Sequence, residues 1–206
     1  MPRAAVIFIT MKASFLSRSL AAALLLPSCS LFHPPETVLK AGAPVPGPVK
    51  DAPLFEWNGS EATGPARVTI DLGEQKARIY KGGQQVGWTY VATGVDGRRT
   101  PSGNFSITEK IVDKRSNLWG VMVDAEGDTV NSNARNGVSP VPEGGHFVGA
   151  RMPHWMRLTG GGIGMHGGPI PRPGHTASHG CIRLPYAMAT HMYEALPTGT
   201  PVSIVD

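Results

Sequence analysis

The chain has 206 residues, enough for one domain with a packed core and too few for two large ones. Its composition, 41% hydrophobic and 17% charged, is that of a globular protein, and its 26 glycines and 19 prolines favour turns and short strands over long helices. The net charge of +4 does not indicate a nucleic-acid partner: three of the 19 basic residues, Arg3, Lys12 and Arg18, lie in an N-terminal stretch without acids, and the other sixteen face fifteen acids with no basic stripe or basic helix.

Residues 1–28 read as an export signal. Lys12 and Arg18 form a positive stretch ahead of the apolar run LAAALLL (residues 20–26), which is far shorter than the roughly 20 residues of a membrane span. Met11 is an alternative start. Leu26-Pro27-Ser28-Cys29 resembles the lipobox of bacterial lipoproteins, which implies a lipid on Cys29 and a membrane anchor; Ser30 after it leans toward the outer membrane. The alternatives are ordinary cleavage to a soluble periplasmic protein, or a disulfide between Cys29 and Cys181, the only two cysteines. Residues 29–65, rich in Pro, Gly and Ala, read as a flexible linker.

Order is expected over residues 66–206. Val68, Ile70 and Leu72 alternate with polar residues and predict a strand with one buried face. A turn at residues 73–75 leads to a second strand around Ala77–Tyr80, and Lys81-Gly82-Gly83-Gln84 predicts a hairpin turn into a third strand at 86–93. A turn-rich loop is expected at 94–103, then strands at 104–112 and 118–123. Residues 125–150 are polar and Gly-rich and read as loops. Short strands are expected at 155–158 and 163–166. Leu184, Met188, Met192 and Leu196 recur at helical spacing behind Pro185, with Pro197 as the stop, and residues 200–205 predict a closing strand. The result is a mostly-β domain, a sandwich or barrel with one helix in its C-terminal half.

The chemistry concentrates in GIGMHGGPIPRPGHTASHGCIRL (residues 162–184). A thiol is a nucleophile only as thiolate, and a nearby imidazole accepts its proton. His166 precedes Cys181 by 15 residues, room for a loop that folds back, and His179 stands two residues before Cys181. Gly180 permits a strained turn and close substrate approach, so that the N–H groups of Gly180 and Cys181 are expected to face a developing oxyanion.

Ser178-His179-Gly180-Cys181-Ile182-Arg183, after a strand ending in His166-Gly167, resembles the catalytic motif of the L,D-transpeptidase family. Thr93-Gly94 followed by Thr100-Pro101-Ser102-Gly103-Asn104-Phe105 resembles that family's TG…TPxGxF segment, and the two motifs stand in the family's order. The resemblance implies Cys181 as nucleophile, His166 as general base with the Gly167 carbonyl setting its tautomer, His179 and Gly180 shaping the oxyanion site, and Arg183 and Ser178 on the substrate side. It implies action on peptidoglycan stem peptides at the L-centre of diaminopimelate, by transfer or by hydrolysis of the same thioester, with an envelope protein as a further candidate acceptor. No cofactor and no metal are required.

Two alternatives stand beside this. His166, His175, His179 and Cys181 are in principle a zinc set, although residues 144–193 contain no Asp or Glu to act as the usual acid/base partner. The other is a wall-binding module that keeps the fold without activity. His175 reads as a solvated loop residue, His33, His146, His154 and His191 as unrelated to catalysis, and Trp88, Trp119 and Trp155 as core.

Overall fold

A computed structural model describes residues 53–206. Cys29, the signal and most of the expected linker lie outside the described residues. Among them no helix is long and apolar enough to cross a membrane.

The elements run β1 (Phe55–Trp57), β2 (Ala66–Asp71), β3 (Lys76–Lys81), β4 (Gln84–Tyr90), β5 (Gly103–Ser106), β6 (Glu109–Val123), β7 (Thr129–Arg135), β8 (His146–Arg157), β9 (Gly164–Gly167), β10 (Ile182–Leu184), α1 (Tyr186–Ala195) and β11 (Pro201–Val205). They form a six-stranded sheet in the order β1-β4-β3-β2-β11-β5 and a five-stranded sheet in the order β10-β9-β8-β6-β7. The fold is therefore mostly β with one helix, as the alternation of apolar residues indicates.

The inward positions of β2 and β3, Val68, Ile70, Ala77 and Ile79, are at most 1% exposed. They share one core with Met156, Met165, Ile182 and Leu184 of the second sheet and with Met188 and Met192 of the helix. Full burial of such a side chain is worth about 1.5–3 kcal/mol, so the Met stripe is packing, not a metal site. Pro185 sits at the N-cap of α1, and the Lys110 ammonium donates to the carbonyls of Tyr193 (2.5 Å) and Leu196 (2.9 Å) at its C-terminal end.

Three expectations are corrected. Strand β1 lies inside the stretch read as linker: Phe55 pairs with Thr89 and Trp57 with Gly87, and the Trp57 ring stacks on His191 at 5.7 Å. Three residues are too few for alternation to register. Residues 125–150 are not all loop, because β7 and the start of β8 fall there. β7 is an edge strand of largely exposed polar residues held by its backbone ladder, with only Ala134 buried. The strand expected at 104–112 breaks at Ile107, which is 1% exposed, where the chain leaves the first sheet and enters the second. From there β6 runs unbroken through the second expected strand to Val123.

Candidate active site

Strand β9, Gly164-Met165-His166-Gly167, is buried at every position. β10 runs parallel to it, with Arg183 in register with His166 and Leu184 with Gly167. The His166 side chain is 6% exposed, and its Nδ1–H donates to the Gly167 carbonyl at 3.0 Å. A carbonyl only accepts, so the bond selects the tautomer with Nε2 unprotonated. Burial, opposed by the Gly167 hydrogen bond and assisted by the Arg183 charge, lowers this imidazole from 6.5 to about 4. It is a neutral proton acceptor at neutral pH.

Cys181 enters β10 from a turn held on both sides of His179 by hydrogen bonds at Ser178 and Gly180. Gly180 has φ +121°, a conformation that side-chain-bearing residues rarely adopt. The Ser178 hydroxyl donates to the Cys181 carbonyl at 2.5 Å and accepts the Gly180 N–H at 3.0 Å. Two expectations change here. The Gly180 N–H is already bonded and does not face an oxyanion. Ser178 is 3% exposed and spends its hydroxyl bracing the turn, although it borders the cavity. The Cys181 N–H, in contrast, has no partner among the described residues.

The upstream Thr-Gly…Thr-Pro segment holds this turn from behind. The Thr100 hydroxyl donates to the Gly180 carbonyl at 2.7 Å and accepts the Gly94 N–H at 3.0 Å. The Thr93 carbonyl accepts the N–H groups of Ala177 (3.0 Å) and Ser178 (2.9 Å), and Ala92 exchanges backbone bonds with Arg183. Gly94 has no room for a side chain: a Cβ there would lie 2.0 Å from the Arg98 carbonyl and 2.9 Å from the Gly180 Cα. Buried Gln75 completes the support, with Nε2 donating to the Leu72 carbonyl at 2.7 Å and Oε1 accepting the Thr93 N–H at 2.9 Å. Two motifs far apart in the chain are one hydrogen-bonded object.

His166 and Cys181 line one cavity of about 470 Å³, together with His179, Arg183, Trp119 and Met152. The thiol donates to the Gly162 carbonyl at 3.6 Å. Burial pushes it above its ordinary 9.0, against the Gly164 N–H and the Arg183 charge, which favour thiolate. Arg183 is half-buried with its stem against Gly168, and among the described residues it has no carboxylate partner. Its guanidinium is free to hold an anion.

His179 makes no side-chain hydrogen bond among the described residues. Its ring stacks on Trp119 at 4.2 Å and 10°, and the Arg98 guanidinium lies 4.3 Å from the same indole. Burial first, then Arg98 and Arg183, lowers its pKa, so it too is neutral at neutral pH. Trp119 is therefore not core, as its sequence context suggests, but a wall of the site. The reason is a bulge: between the pairs Arg115↔Arg151 and Gly120↔Gly149, four residues of β6 stand against one of β8. The Ser116 hydroxyl accepts the N–H groups of Leu118 (3.2 Å) and Trp119 (2.9 Å), fixing the bulge at the cavity rim. Trp155 is buried as expected, and its indole donates to Glu109. His175 is exposed on its loop, and no group of three or more His, Cys, Asp or Glu converges on a metal-sized site among the described residues.

The arrangement can perform acyl transfer through a thioester: a thiol, a neutral acceptor with a set tautomer, an open backbone donor and an unneutralised cation share one cavity. Sequence reasoning missed Gln75, whose isolated glutamine carries no signal, and the Trp119 bulge, which is visible only in the mismatch of two strand lengths.

Comparison with known proteins bears on the family and the fold. Residues 65–204 match the L,D-transpeptidase catalytic domain (YkuD) family. A comparison with curated proteins returns no match. Among solved structures, the fold is similar to an L,D-transpeptidase from Mycobacterium smegmatis, with TM-score 0.53 and 20% identity, covering 69% of this chain and 59% of that one. It is similar to an L,D-transpeptidase from Stackebrandtia nassauensis, with TM-score 0.50 and 23% identity, covering 71% of this chain and 58% of that one. The catalytic domain of an E. faecium L,D-transpeptidase matches with TM-score 0.50 and 23% identity, covering 69% of this chain and 98% of that domain. The chain thus spans less than two thirds of the first two proteins but nearly all of an isolated catalytic domain. With the family matched across most of its length, the chain belongs to the L,D-transpeptidase catalytic-domain family.

Proposed function

We propose that this protein is a peptidoglycan L,D-transpeptidase that works through a thioester on Cys181. One observation carries the reading: Cys181 and His166 line the same cavity, with the imidazole tautomer held by Gly167 and the Cys181 N–H left open. In the proposed reaction the thiol proton moves to His166 Nε2 as sulfur attacks the carbonyl carbon on the L-centre of diaminopimelate in a stem tetrapeptide. The Cys181 N–H receives the developing oxyanion. The C–N bond to D-Ala breaks, His166 protonates the leaving amine, and a thioester remains. The side-chain amine of a second diaminopimelate then attacks, forming the new amide and returning the thiol. Arg183 holds a substrate carboxylate, and His179, fixed by Trp119, closes one side. Hydrolysis of the same thioester is the second outcome of this chemistry, and an amine on an envelope protein is a further acceptor.

The test is incubation with purified tetrapeptide fragments and mass spectrometry of products, with and without an added amine. Cys181→Ala is expected to abolish turnover and any covalent carbapenem adduct; retained turnover overturns the proposal. His166→Ala is expected to lose on the order of 10²–10⁴-fold in rate, and an unchanged rate removes it as the base. The sequence also supports a periplasmic site of action with a lipid anchor on Cys29; metabolic labelling with a fatty acid, absent in Cys29→Ser, checks that part separately.

A further inference from the structure

Position 75 carries a residue ill suited to its backbone. Gln75 has φ +52°, and among the described residues only His154 shares a positive φ without being glycine. Glycine takes this conformation without strain, and asparagine tolerates it better than most. The turn from β2 to β3 does contain a glycine, but at position 73, where φ is not positive. A glutamine side chain kept where glycine is less strained needs a use of its own.

That use is visible in its bonds. Gln75 is 2% exposed, and every hydrogen-bonding position of its amide is filled. Nε2 donates to the Leu72 carbonyl at 2.7 Å and to the Thr93 hydroxyl at 2.8 Å, while Oε1 accepts the Thr93 N–H at 2.9 Å and the Thr93 hydroxyl at 3.1 Å. Thr93 in turn gives its carbonyl to the N–H groups of Ala177 and Ser178, and the Ser178 carbonyl accepts the Val95 N–H at 3.1 Å. The backbone entering Ser178-His179-Gly180-Cys181 is thus clamped by a line of bonds that starts at the Gln75 amide. Gln75 and Thr93 do not border the cavity of Cys181 and His166; they line a separate one of about 360 Å³, together with Gly94 and Thr100.

We propose that Gln75 is a positioning residue of the nucleophile turn: through Thr93 its amide fixes the backbone from Ser178 to Cys181, so that the Cys181 N–H points where the oxyanion forms. The inference rests on the proposed thioester chemistry. A misdirected donor slows acylation without changing how the thiol ionises or how the substrate is held.

The experiment uses two variants of the full chain. Gln75→Gly removes the amide and relieves the backbone. Gln75→Asn keeps an amide, one methylene too short for Thr93, on a backbone that asparagine tolerates. Both are expected to lower kcat on a stem tetrapeptide by on the order of 10²-fold with KM unchanged. Carbapenem acylation of Cys181 passes through the same oxyanion and is expected to slow equally. Alkylation by iodoacetamide forms no oxyanion and is expected to keep its wild-type rate and pH dependence. Retained kcat in Gln75→Gly, or wild-type kcat in Gln75→Asn, overturns the inference. Faster alkylation alongside the loss of kcat also overturns it, because the side chain then serves only to hold the site closed. If one variant does not fold, the other decides; failure of both to fold assigns Gln75 to the fold and overturns the positioning role. A wild-type chain that carbapenem acylates but that turns over no tetrapeptide overturns the proposed substrate, and the acylation rates then decide the role of Gln75. A chain that does neither overturns both.

Discussion

The protonation state of the resting site follows from the burial of its imidazole and its thiol. His166 is held at about 4 by burial, and burial raises Cys181 above 9.0. Between those limits both groups are neutral, so the pair is thiol and imidazole, not thiolate and imidazolium. Moving the proton from sulfur to nitrogen before attack is uphill, because burial disfavours both the thiolate and the imidazolium. A free ion pair is then too rare to be the working nucleophile, and proton transfer must accompany attack, with the Cys181 N–H taking up oxyanion charge as it forms. The perturbation is pH, and the assay is the rate of Cys181 alkylation by iodoacetamide, followed on the peptide that contains it. With the thiol raised by burial, thiolate is a minor form at pH 7, so the rate is expected to rise about ten-fold per pH unit from 5 to 8. His166→Ala is expected to leave that slope unchanged. A rate that is flat between pH 5 and 8 would mean a stable ion pair and would refute the reasoning.

The same burial makes a prediction about stability. The unfolded His166 binds a proton below 6.5 and the folded one only below about 4, so its contribution is complete above 6.5 and lost as pH falls through that window. The loss reaches about 3 kcal/mol, measured as the difference in urea denaturation between the wild type and His166→Gln at pH 7 and pH 4; equal pH slopes for the two contradict it. Thr100→Val keeps the shape of the side chain but leaves the Gly94 N–H and the Gly180 carbonyl without their partner. It is expected to cost about 1–3 kcal/mol in urea unfolding and to lower turnover, because the turn before Cys181 loosens. Gly94→Ala drives a methyl group into the Arg98 carbonyl and is expected to lower the thermal midpoint sharply or prevent folding; an unshifted midpoint would show that the loop yields more easily than its contacts imply.

Much of this was legible in the residues. Val68, Ile70, Ala77 and Ile79 are read correctly because one face of each strand meets the core, and period-two alternation records that directly. The helix is legible through its Met stripe. β7 and β1 are not, since an edge strand needs only backbone hydrogen bonds and a three-residue strand offers no period. At the site, His166 and Cys181 stand out because a thiol and an imidazole fall together in one short segment dense in chemistry-bearing residues. The role of Ser178 does not, because a hydroxyl next to a glycine turn is equally suited to a substrate and to its own backbone, and only the 2.5 Å and 3.0 Å bonds decide.

The backbone exchange between Ala92 and Arg183 has a mechanical meaning. Ala92 follows β4 of the six-stranded sheet, and Arg183 belongs to the five-stranded one, so the Cys181 sulfur rides on the seam where the two layers are stitched. Sliding one layer past the other by even a fraction of a residue would carry Cys181 with one and its bracing threonine with the other. On the proposed reaction, turnover would then report on shear between the layers, and mild denaturants are expected to abolish it while strands within each layer are still paired.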